Sequence, residues 1–386
     1  MKILVVTDGI SPYVVGGMQK HSAGLIKYLA LRGHDVTMIH CLPSGTNKPS
    51  HEEIRESMGL SQEASLKIIT LYFPSSGFLP GHYLKSSYQF SNKAFDAVQK
   101  EIDSFDFIYT KGFTGWYFIA QKLKGKKLPP IGVKFHGYEM FQPGGSFTMK
   151  LKKYLLKGTV QWISQHADVV FSYGSKITEV IKRIGVDPNR IVEVPTGIEA
   201  HWIANQKTRT TTPRKFLFIG RYERRKGIEE LHAAILSREE NSEVEFHFIG
   251  PIDHSKRVKR KDIIYHGEIK EADKIIEIMD ECHVLLCPSH SEGMPNVILE
   301  AMSRGMAVIA TTVGAVDRLV DDSTGWLVAP GDTEALKETI QTAVNETHSA
   351  IQAKGNNAIQ KVKDQFLWEK IIELTERNIE KSRVNS

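Results

Sequence analysis

Short apolar runs alternate with amphipathic stretches along this chain, and the alternation occurs in two series. The first series spans residues 2–195, and the second begins at residue 216. Strands that alternate with helices form parallel sheets, because a parallel connection needs a crossover of a dozen or more residues. The pattern therefore predicts an α/β protein with two doubly wound, Rossmann-like sheets.

The strand predictions come from apolar runs bounded by turn residues. In the first series they are 2–7, 35–39, 107–109, 131–135, 169–172 and 191–195. In the second they are 216–220, 244–249, 262–266, 283–287, 307–311 and 326–328. The polar, Thr-rich segment 199–215 between the series is typical of an interdomain connection. A chain of 386 residues is long enough for two domains.

Composition excludes several classes of protein. No apolar run approaches the ~20 residues of a membrane span, and the apolar stretch 3–6 is too short for a signal peptide. The three cysteines, Cys41, Cys282 and Cys287, form neither a disulfide framework nor a metal-ligand cluster. We therefore expect a cytoplasmic protein in which Cys282 and Cys287, at the ends of an apolar strand, are buried small hydrophobes.

Two glutamates lie on either side of a predicted helix start. Glu292 follows the strand at 283–287, and Glu300 falls inside a helix that Pro295 begins and Gly305 ends. The helix N-terminus between the two carboxylates suits a phosphate. A nucleotide sugar has this layout, with hydroxyls at both ends and phosphates in the middle. An ordinary strand–loop–helix unit with solvated acids fits the spacing as well.

Tandem glycines, Gly16 and Gly17, follow the first strand. They allow either a close approach of the backbone to a ligand or a tight turn. The glycine fingerprint of dinucleotide-binding proteins does not open the following helix, so a nicotinamide-dependent dehydrogenase is disfavoured.

Two cations stand where the strand at 216–220 ends. Arg221 follows the strand, and Lys226 lies at the start of the next helix. Such a pair can neutralise a diphosphate and the charge that grows on it as a sugar leaves. The neighbouring Arg224 and Arg225 also fit a merely solvated basic loop.

Five segments, in order, resemble those of the retaining glycosyltransferases of family 4 (GT4). They are Gly16-Gly17-Met18-Gln19, His136-Gly137-Tyr138-Glu139, Pro195-Thr196-Gly197-Ile198, Gly220-Arg221 with Lys226-Gly227, and Glu292 to Glu300. The resemblance implies the GT-B fold, with donor and acceptor meeting in an interdomain cleft. It also implies an acceptor-side domain at 1–198, a nucleotide-sugar domain at 199–369, and a terminal helix at about 370–386 that returns to the first domain.

The resemblance also implies roles for the donor-binding residues. Arg221 and Lys226 would hold the diphosphate, and Glu300 would receive the ribose hydroxyls. Glu292 would reach the ring hydroxyls of the transferred sugar. The backbone of Gly16, Gly17 and the segment Gly293, Met294, Pro295 and Asn296 would face the phosphates.

His136 is expected at the carboxyl edge of the first sheet, where it would hydrogen-bond the donor sugar or the developing charge. Glu139 would orient the acceptor or His136. We see no Asp-x-Asp pair for a catalytic metal and no cofactor motif. The mechanism implied for retaining members is reaction on one face of the sugar, with the leaving phosphate helping to deprotonate the acceptor.

Three positions depart from the family pattern. Thr196 stands where relatives often carry Asn, Met306 where Pro is common, and Val313-Gly314-Ala315 where Val-Gly-Gly is usual. These departures concern the fine geometry of the donor site and leave the phosphate- and ribose-binding groups intact.

The function that follows is transfer of a sugar from a nucleotide-diphospho-sugar, with UDP expected, to a glycan, glycolipid or other hydroxyl acceptor. Synthesis of cell-surface polysaccharide or glycolipid is the expected context. A sugar-nucleotide epimerase or hydrolase of related fold is an alternative, and so is a non-catalytic nucleotide-sugar-binding protein. The complete set of donor residues argues against the last.

The segment 111–157 contains ten lysines and one acid, Glu139. Its end, 147–157, mixes apolar residues with Lys150, Lys152, Lys153 and Lys157 at helical spacing, and Trp116 lies upstream. Such a helix can bind an anionic membrane surface, here the inner face of the cell membrane. An ordinary amphipathic helix with solvated lysines fits too. No recognised module supports nucleic-acid binding.

Overall fold

The computed structural model describes residues 1–74, 81–142, 147–204, 209 and 211–384, with the backbone alone for 147–152. Its contacts divide the chain into two compact units. The first unit contains Met1–Gly197 and Trp368–Ser386, and the second contains Ile198–Leu367. The first unit is thus built from two segments that are distant in sequence.

The first unit has a sheet of seven described strands, all parallel. They are β1 (Lys2–Val6), β2 (Asp35–Leu42), β3 (Leu66–Tyr72), β4 (Phe107–Lys111), β5 (Ile131–Lys134), β6 (Val169–Ser172) and β7 (Ile191–Glu193). Their order is β3-β2-β1-β4-β5-β6-β7. The helices are α1 (Gly17–Leu31), α2 (His51–Ser57), α3 (His82–Val98), α4 (Trp116–Leu123), α5 (Phe147–His166) and α6 (Lys176–Arg183).

The second unit has a sheet of six described strands, again all parallel. They are β8 (Arg214–Ile219), β9 (Val244–Ile249), β10 (Ile263–Gly267), β11 (Val284–Cys287), β12 (Ala307–Thr311) and β13 (Gly325–Val328), in the order β10-β9-β8-β11-β12-β13. The helices of this unit are α7 (Ile228–Leu236), α8 (Ala272–Glu281), α9 (Asn296–Ser303), α10 (Val316–Leu319), α11 (Thr333–Asn345) and α12 (His348–Gln365).

The prediction of two parallel α/β sheets is confirmed. The strand predictions omitted β3, whose residues alternate between buried and partly exposed positions at the sheet edge. Lys67 and Thr70 interrupt its apolar run, so this strand is less conspicuous than the central ones. The central strands β1 and β4 are almost completely buried, and each contains an uninterrupted apolar run, at 3–6 and 107–109.

The last helix, α13 (Trp368–Val384), packs on α1 in the first unit. Its first residue, Trp368, stacks on Tyr28 with ring centroids 5.7 Å apart. A methyl group on Gly24 would lie 2.4 Å from the indole ring, and one on Gly197 would lie 2.5 Å from it. These two glycines therefore form a slot for Trp368. The slot is a structural reason for glycine in the segment Pro195-Thr196-Gly197.

Two turns after Trp368 in α13, Glu376 binds two basic residues that lie just after the end of α1. Arg32 donates to Glu376 at 3.1 and 2.8 Å, and His34 Nε2 lies 2.7 Å from the same carboxylate. The carboxylate is nearly buried, so the paired hydrogen bonds offset its desolvation. The terminal helix is thus held by a buried ring at one point and by an ion pair two turns later.

We expect Trp368→Ala to destabilise the first unit by about 3–5 kcal/mol, because removal of a buried aromatic side chain leaves a cavity between two rigid glycine backbones. The free energy of unfolding from urea denaturation, with hydrogen exchange in β1 and α1, measures this. Trp162→Ala is the matched control, since Trp162 is only half-buried in the same unit. Equal losses in the two variants would contradict the slot's importance.

Candidate functional site

The reversal of strand order in the second sheet lies between β8 and β11. These strands are neighbours, with Val284 opposite Phe216, although β9 and β10 separate them in the chain. Ligands of open α/β sheets bind at the carboxyl ends of the strands at such a reversal. The segments that leave these two strands are 220–227 and 288–296, and they contain most of the predicted donor-binding residues.

Glu292 is the central carboxylate of this region and is only 8% exposed. Lys226 Nζ lies 2.7 Å from Glu292 Oε1, and the hydroxyl of Ser289 donates to the same oxygen at 2.9 Å. Arg225 Nη1 is 3.4 Å from it. A buried carboxylate is tolerated when charged and polar partners compensate for the lost water. The structure thus brings Lys226 and Glu292 into direct contact.

Close backbone contacts hold the two segments together. Gly227 has φ +67°, and a Cβ there would lie 1.9 Å from the carbonyl oxygen of Pro288. The amide of His290 donates to the carbonyl of Arg225 at 2.8 Å. A side chain at position 227 would therefore push the cation-bearing segment away from the carboxylate-bearing one.

A third segment, at 314–315, contacts the backbone of Glu292 and Gly293. Gly314 has φ +57°, and a Cβ there would meet the carbonyl oxygens of Glu292 and Gly293 at 2.2 and 2.3 Å. The amide of Ala315 donates to the Gly293 carbonyl at 2.8 Å. The departure from the family pattern at Ala315 therefore leaves the position that requires glycine, Gly314, unchanged.

Glu300 lies in α9, as expected from the sequence, and is half-buried. Asn296 is one turn before it, so the two side chains share a face of the helix. Gly293, Met294 and Pro295 are buried and form the segment that enters the helix. The arrangement places a carboxylate about one turn inside a helix whose N-terminus adjoins Glu292.

The two predicted cations have different surroundings. The side chain of Arg221 is 67% exposed, and its Nε lies 3.1 Å from Glu223. An exposed pair of this kind contributes little, so Arg221 can reorient at small cost. Lys226 is instead held by Glu292. Arg224 pairs with Glu230 near His290, whereas Arg225 donates to the Ser291 carbonyl at 3.1 Å.

The sequence reasoning missed Ser289 and gave Arg225 no role. Ser289 lies three residues before Glu292 at the end of a buried strand, a spacing that lets a hydroxyl reach the carboxylate. Arg225 could not be separated from Arg224 by sequence, because adjacent residues leave a turn in directions that only the structure shows.

In the first unit, the predicted His136 follows β5. Its Nδ1 lies 2.6 Å from the hydroxyl of Tyr173, and its Nε2 is buried with no partner among the described residues. Burial, with the charges of Lys111 and Lys134, holds the pKa of His136 well below its usual range, so the ring is neutral. Gly16 and Gly17 lie at the start of α1 in the same unit.

Two lysines that were not predicted as site residues from the sequence lie near His136. Lys111 and Lys134 are register partners at the ends of β4 and β5, and both are buried. Lys111 Nζ lies 2.9 Å from His21 Nδ1, whereas Lys134 donates to the carbonyl of Val194 at 2.6 Å. The signal available in the sequence was a lysine at the end of each of two apolar strands.

The pKa values of these two lysines, and of the neighbouring Asp8, are strongly shifted from their usual values. Burial lowers the pKa of Lys111 to about 7, although the Asp8 carboxylate raises it in part. Burial also raises the pKa of Asp8 to about 6, against the attraction of Lys111. The pKa of Lys134 is lowered well below its usual value by burial and by Lys111. Clusters of this kind are typical of functional sites.

Within the described residues, no group of three or more His, Cys, Asp or Glu side chains is arranged to hold a metal ion. Among the helices described, none has the length and apolar character to cross a membrane.

Two family models match the chain. The model described as Glycosyltransferase Family 4 matches residues 15–202, and the model described as Glycosyl transferases group 1 matches residues 213–346. Of curated relatives, the capsular polysaccharide biosynthesis glycosyltransferase CapM of Staphylococcus aureus is 30% identical over 168 residues. That alignment covers 40% of this chain and 43% of CapM, which is less than two thirds of its length.

Solved structures match over almost the whole chain. Sucrose-phosphate synthase from Thermosynechococcus elongatus has a TM-score of 0.80 at 20% identity, covering 100% of both chains. HepE from Anabaena in complex with UDP-glucose has a TM-score of 0.69 at 15% identity, covering 98% of this chain and 99% of HepE. These likenesses establish the GT-B fold. With both family models matched in series, the chain belongs to the group 1 glycosyltransferases of glycosyltransferase family 4.

Proposed function

We propose that this glycosyltransferase moves a sugar from a UDP-sugar to a hydroxyl of a glycan or lipid-linked acceptor, with retention and without a metal ion. The observation that carries the donor assignment is the buried Glu292, bonded to Lys226 at the strand-order reversal, with Glu300 in the adjoining helix. The complex of HepE with UDP-glucose supports a UDP-sugar donor. The name of CapM supports a role in surface polysaccharide synthesis.

The proposed donor contacts follow the chemistry of the ligand. Glu300 accepts hydrogen bonds from the two ribose hydroxyls, a task suited to a carboxylate with two oxygens. Glu292 accepts from hydroxyls of the transferred sugar. The backbone of 293–296 (Gly293, Met294, Pro295 and Asn296), at the N-terminus of α9, faces the diphosphate.

Lys226 connects the two parts of this site. An ammonium has three donors, and one of them reaches Glu292 at 2.7 Å. The others suit the diphosphate oxygens, so Lys226 would link the group that holds the sugar to the group that leaves. Arg221, with its exposed side chain, would add a second cation when the donor binds. The negative charge that grows on the leaving diphosphate is then stabilised by fixed positive groups.

In the proposed reaction the acceptor oxygen bonds to the anomeric carbon on the face from which the diphosphate departs. The bond from that carbon to the phosphate oxygen breaks, and the departing phosphate takes the proton of the acceptor hydroxyl. His136, whose ring is neutral and whose Nε2 has no partner among the described residues, hydrogen-bonds the reacting sugar or the developing charge. Glu139 orients the acceptor or His136.

A panel of UDP-, GDP- and ADP-sugars tests the donor assignment by thermal shift and nucleotide release. We expect UDP-sugars to stabilise the protein. Glu300→Ala should raise the Kd of UDP by at least roughly 100-fold, because two charge-assisted hydrogen bonds of about 1.5–3 kcal/mol each are lost. Glu338→Ala, an exposed glutamate of the same unit, is the control. An unchanged Kd in Glu300→Ala removes this residue from the site. Free sugar or an epimer without acceptor favours the hydrolase or epimerase alternative.

Removal of the cations should affect turnover more than donor binding. We expect Lys226→Met and Arg221→Ala to lower kcat by about 10²–10³ each, because their interaction strengthens as charge develops on the diphosphate. Initial rates at saturating donor measure this, with the exposed Lys363→Ala as control. If both variants keep the wild-type kcat, the diphosphate assignment is wrong.

We also propose a peripheral membrane contact, and the exposed side chains of α5 are the surface that we propose for it. The side chains of Lys150 and Lys152 lie outside the described residues. Lys153 donates to the Gln142 carbonyl, so it is occupied within the fold. Tyr154 is 73% exposed, and Leu155 and Lys157 are exposed beside it on α5. Trp116 is half-buried and its ring contacts that of Tyr88, so it is not part of the proposed membrane surface.

This α5 surface, Tyr154, Leu155 and Lys157, should bind liposomes through apolar insertion and charge. We expect co-sedimentation that rises with anionic lipid, falls with salt, and weakens in the variant Tyr154→Ser/Leu155→Ser and in Lys157→Gln. Lys182→Gln, on the exposed side of α6, is the matched control. Absence of binding to anionic liposomes at low salt favours a soluble acceptor.

A further inference from the structure

The first sheet has its own reversal of strand order, between β1 and β4. Asp8 follows the end of β1, and Lys111 is the last residue of β4. A cavity of about 240 Å³ opens at this point, and both residues line it. Because ligands of open α/β sheets bind at such reversals, this cavity has the position of a binding site.

Aromatic rings form much of the cavity wall. They come from four different elements or loops of the first unit: Phe73, Tyr83, Phe90, Phe113 and Phe135. Several touch one another, with Phe113 edge-on to Phe135 at 5.7 Å and edge-on to Tyr83 at the same distance. The mutual contacts keep the rings in place, so the wall is rigid and apolar.

The polar side chains that line the rest of the cavity include both donors and acceptors, with Ser87 and Thr114 among them. Asp8 and Glu139 supply carboxylate oxygens, and Lys111 supplies N–H groups. His136 supplies a further donor. The Tyr173 hydroxyl lies 2.6 Å from His136 Nδ1, and we assign the hydroxyl as the donor to that nitrogen. The ring proton then lies on Nε2, which is buried without a partner among the described residues.

This combination of aromatic rings with hydrogen-bond donors and acceptors favours one class of ligand over the others. An apolar ligand would exclude water from Lys111 and Asp8 and give them no hydrogen bond in return, which is costly. A carboxylate or phosphate would meet the Asp8 and Glu139 carboxylates. A neutral sugar ring presents C–H groups to aromatic faces, and its hydroxyls both donate and accept. At about 240 Å³ the cavity is smaller than the usual range of ~300–1,000 Å³ for ligand pockets, which favours one ring over an oligosaccharide.

We infer that this cavity binds the terminal neutral sugar ring of the acceptor, and that Lys111 is a specificity-determining contact to one of its hydroxyls. The inference rests on the proposed function, because it names the acceptor of that reaction. Lys111 is positioned by His21, 2.9 Å from its Nζ, and His21 is buried between the rings of His136 and Trp368. A lysine held in this way presents its donors in a fixed direction.

Lys134 provides a matched comparison within the same cluster. It is the register partner of Lys111 and is equally buried, but it does not line the cavity. Its amine is occupied by the Val194 carbonyl and lies 4.2 Å from the ring of Tyr173. Substitution of either lysine by methionine removes a buried amine. Only the substitution of Lys111 removes a group that lines the cavity.

Saturation-transfer NMR with methyl hexosides tests the inference without requiring turnover. We expect wild-type protein to transfer saturation to neutral methyl hexosides and not to methyl uronosides or octanol. Lys111→Met should lose this signal and raise the KM for a neutral hexoside acceptor at least 10-fold, with the Kd of UDP unchanged. Lys134→Met should retain the saturation-transfer signal, because Lys134 does not line the cavity. Phe113→Leu, which removes one wall ring, is a second variant expected to weaken the signal.

The outcomes separate this inference from the proposed function. If UDP and UDP-sugars bind but Lys111→Met and Phe113→Leu keep the wild-type signal and KM, the cavity is not the sugar site. A stronger signal with methyl uronosides than with hexosides overturns the neutral class. If no nucleotide sugar binds while hexoside binding depends on Lys111, the proposed donor fails and the sugar cavity stands.

Discussion

The parallel pairing of the strands determines where the polar side chains of the functional sites can lie. Each crossover carries the chain back to the amino end of the next strand, so all strands of a sheet end at one edge. At β1–β4 and at β8–β11 the connections diverge. The loops there are not covered by a crossover, and polar side chains can meet without disturbing the apolar core. Glu292 and Lys226 meet at one reversal, and Asp8 and Lys111 at the other.

The two units accommodate buried charge in different ways. In the second, Lys226, Ser289 and Arg225 surround one oxygen of the buried Glu292 carboxylate and compensate for its lost water. In the first, burial reduces the charge itself: the pKa of Lys111 falls to about 7, and His136 is neutral. A paired carboxylate suits a ligand that brings its own charge. A cluster of weakly charged donors and acceptors suits a ligand that is neutral and hydroxylated.

Much of the fold follows from the sequence, because buried parallel strands are continuous apolar runs with clear ends. β9 and β12 have the predicted bounds, and α9 starts after Pro295. The edge strand β3 escaped detection because one face is exposed and polar residues enter it. Predicted site residues such as Lys226 and Glu292 lie together, but the partners of each are invisible in sequence. Lys111 and Lys134 were missed for a physical reason: a lysine usually marks solvent, and only three-dimensional packing shows that these two are enclosed.

The slot formed by Gly24 and Gly197 for Trp368 has a consequence for biosynthesis. Residues 1–197 leave the ribosome long before Trp368, so the nascent first unit must wait through synthesis of the whole second unit with the surface of α1 uncovered. The second unit, continuous from 198 to 367, can fold during that interval. The order of emergence therefore makes the first unit, although it is translated first, the last to be completed. It also makes a prematurely terminated chain structurally distinct from a finished one, because its Trp368 slot is empty.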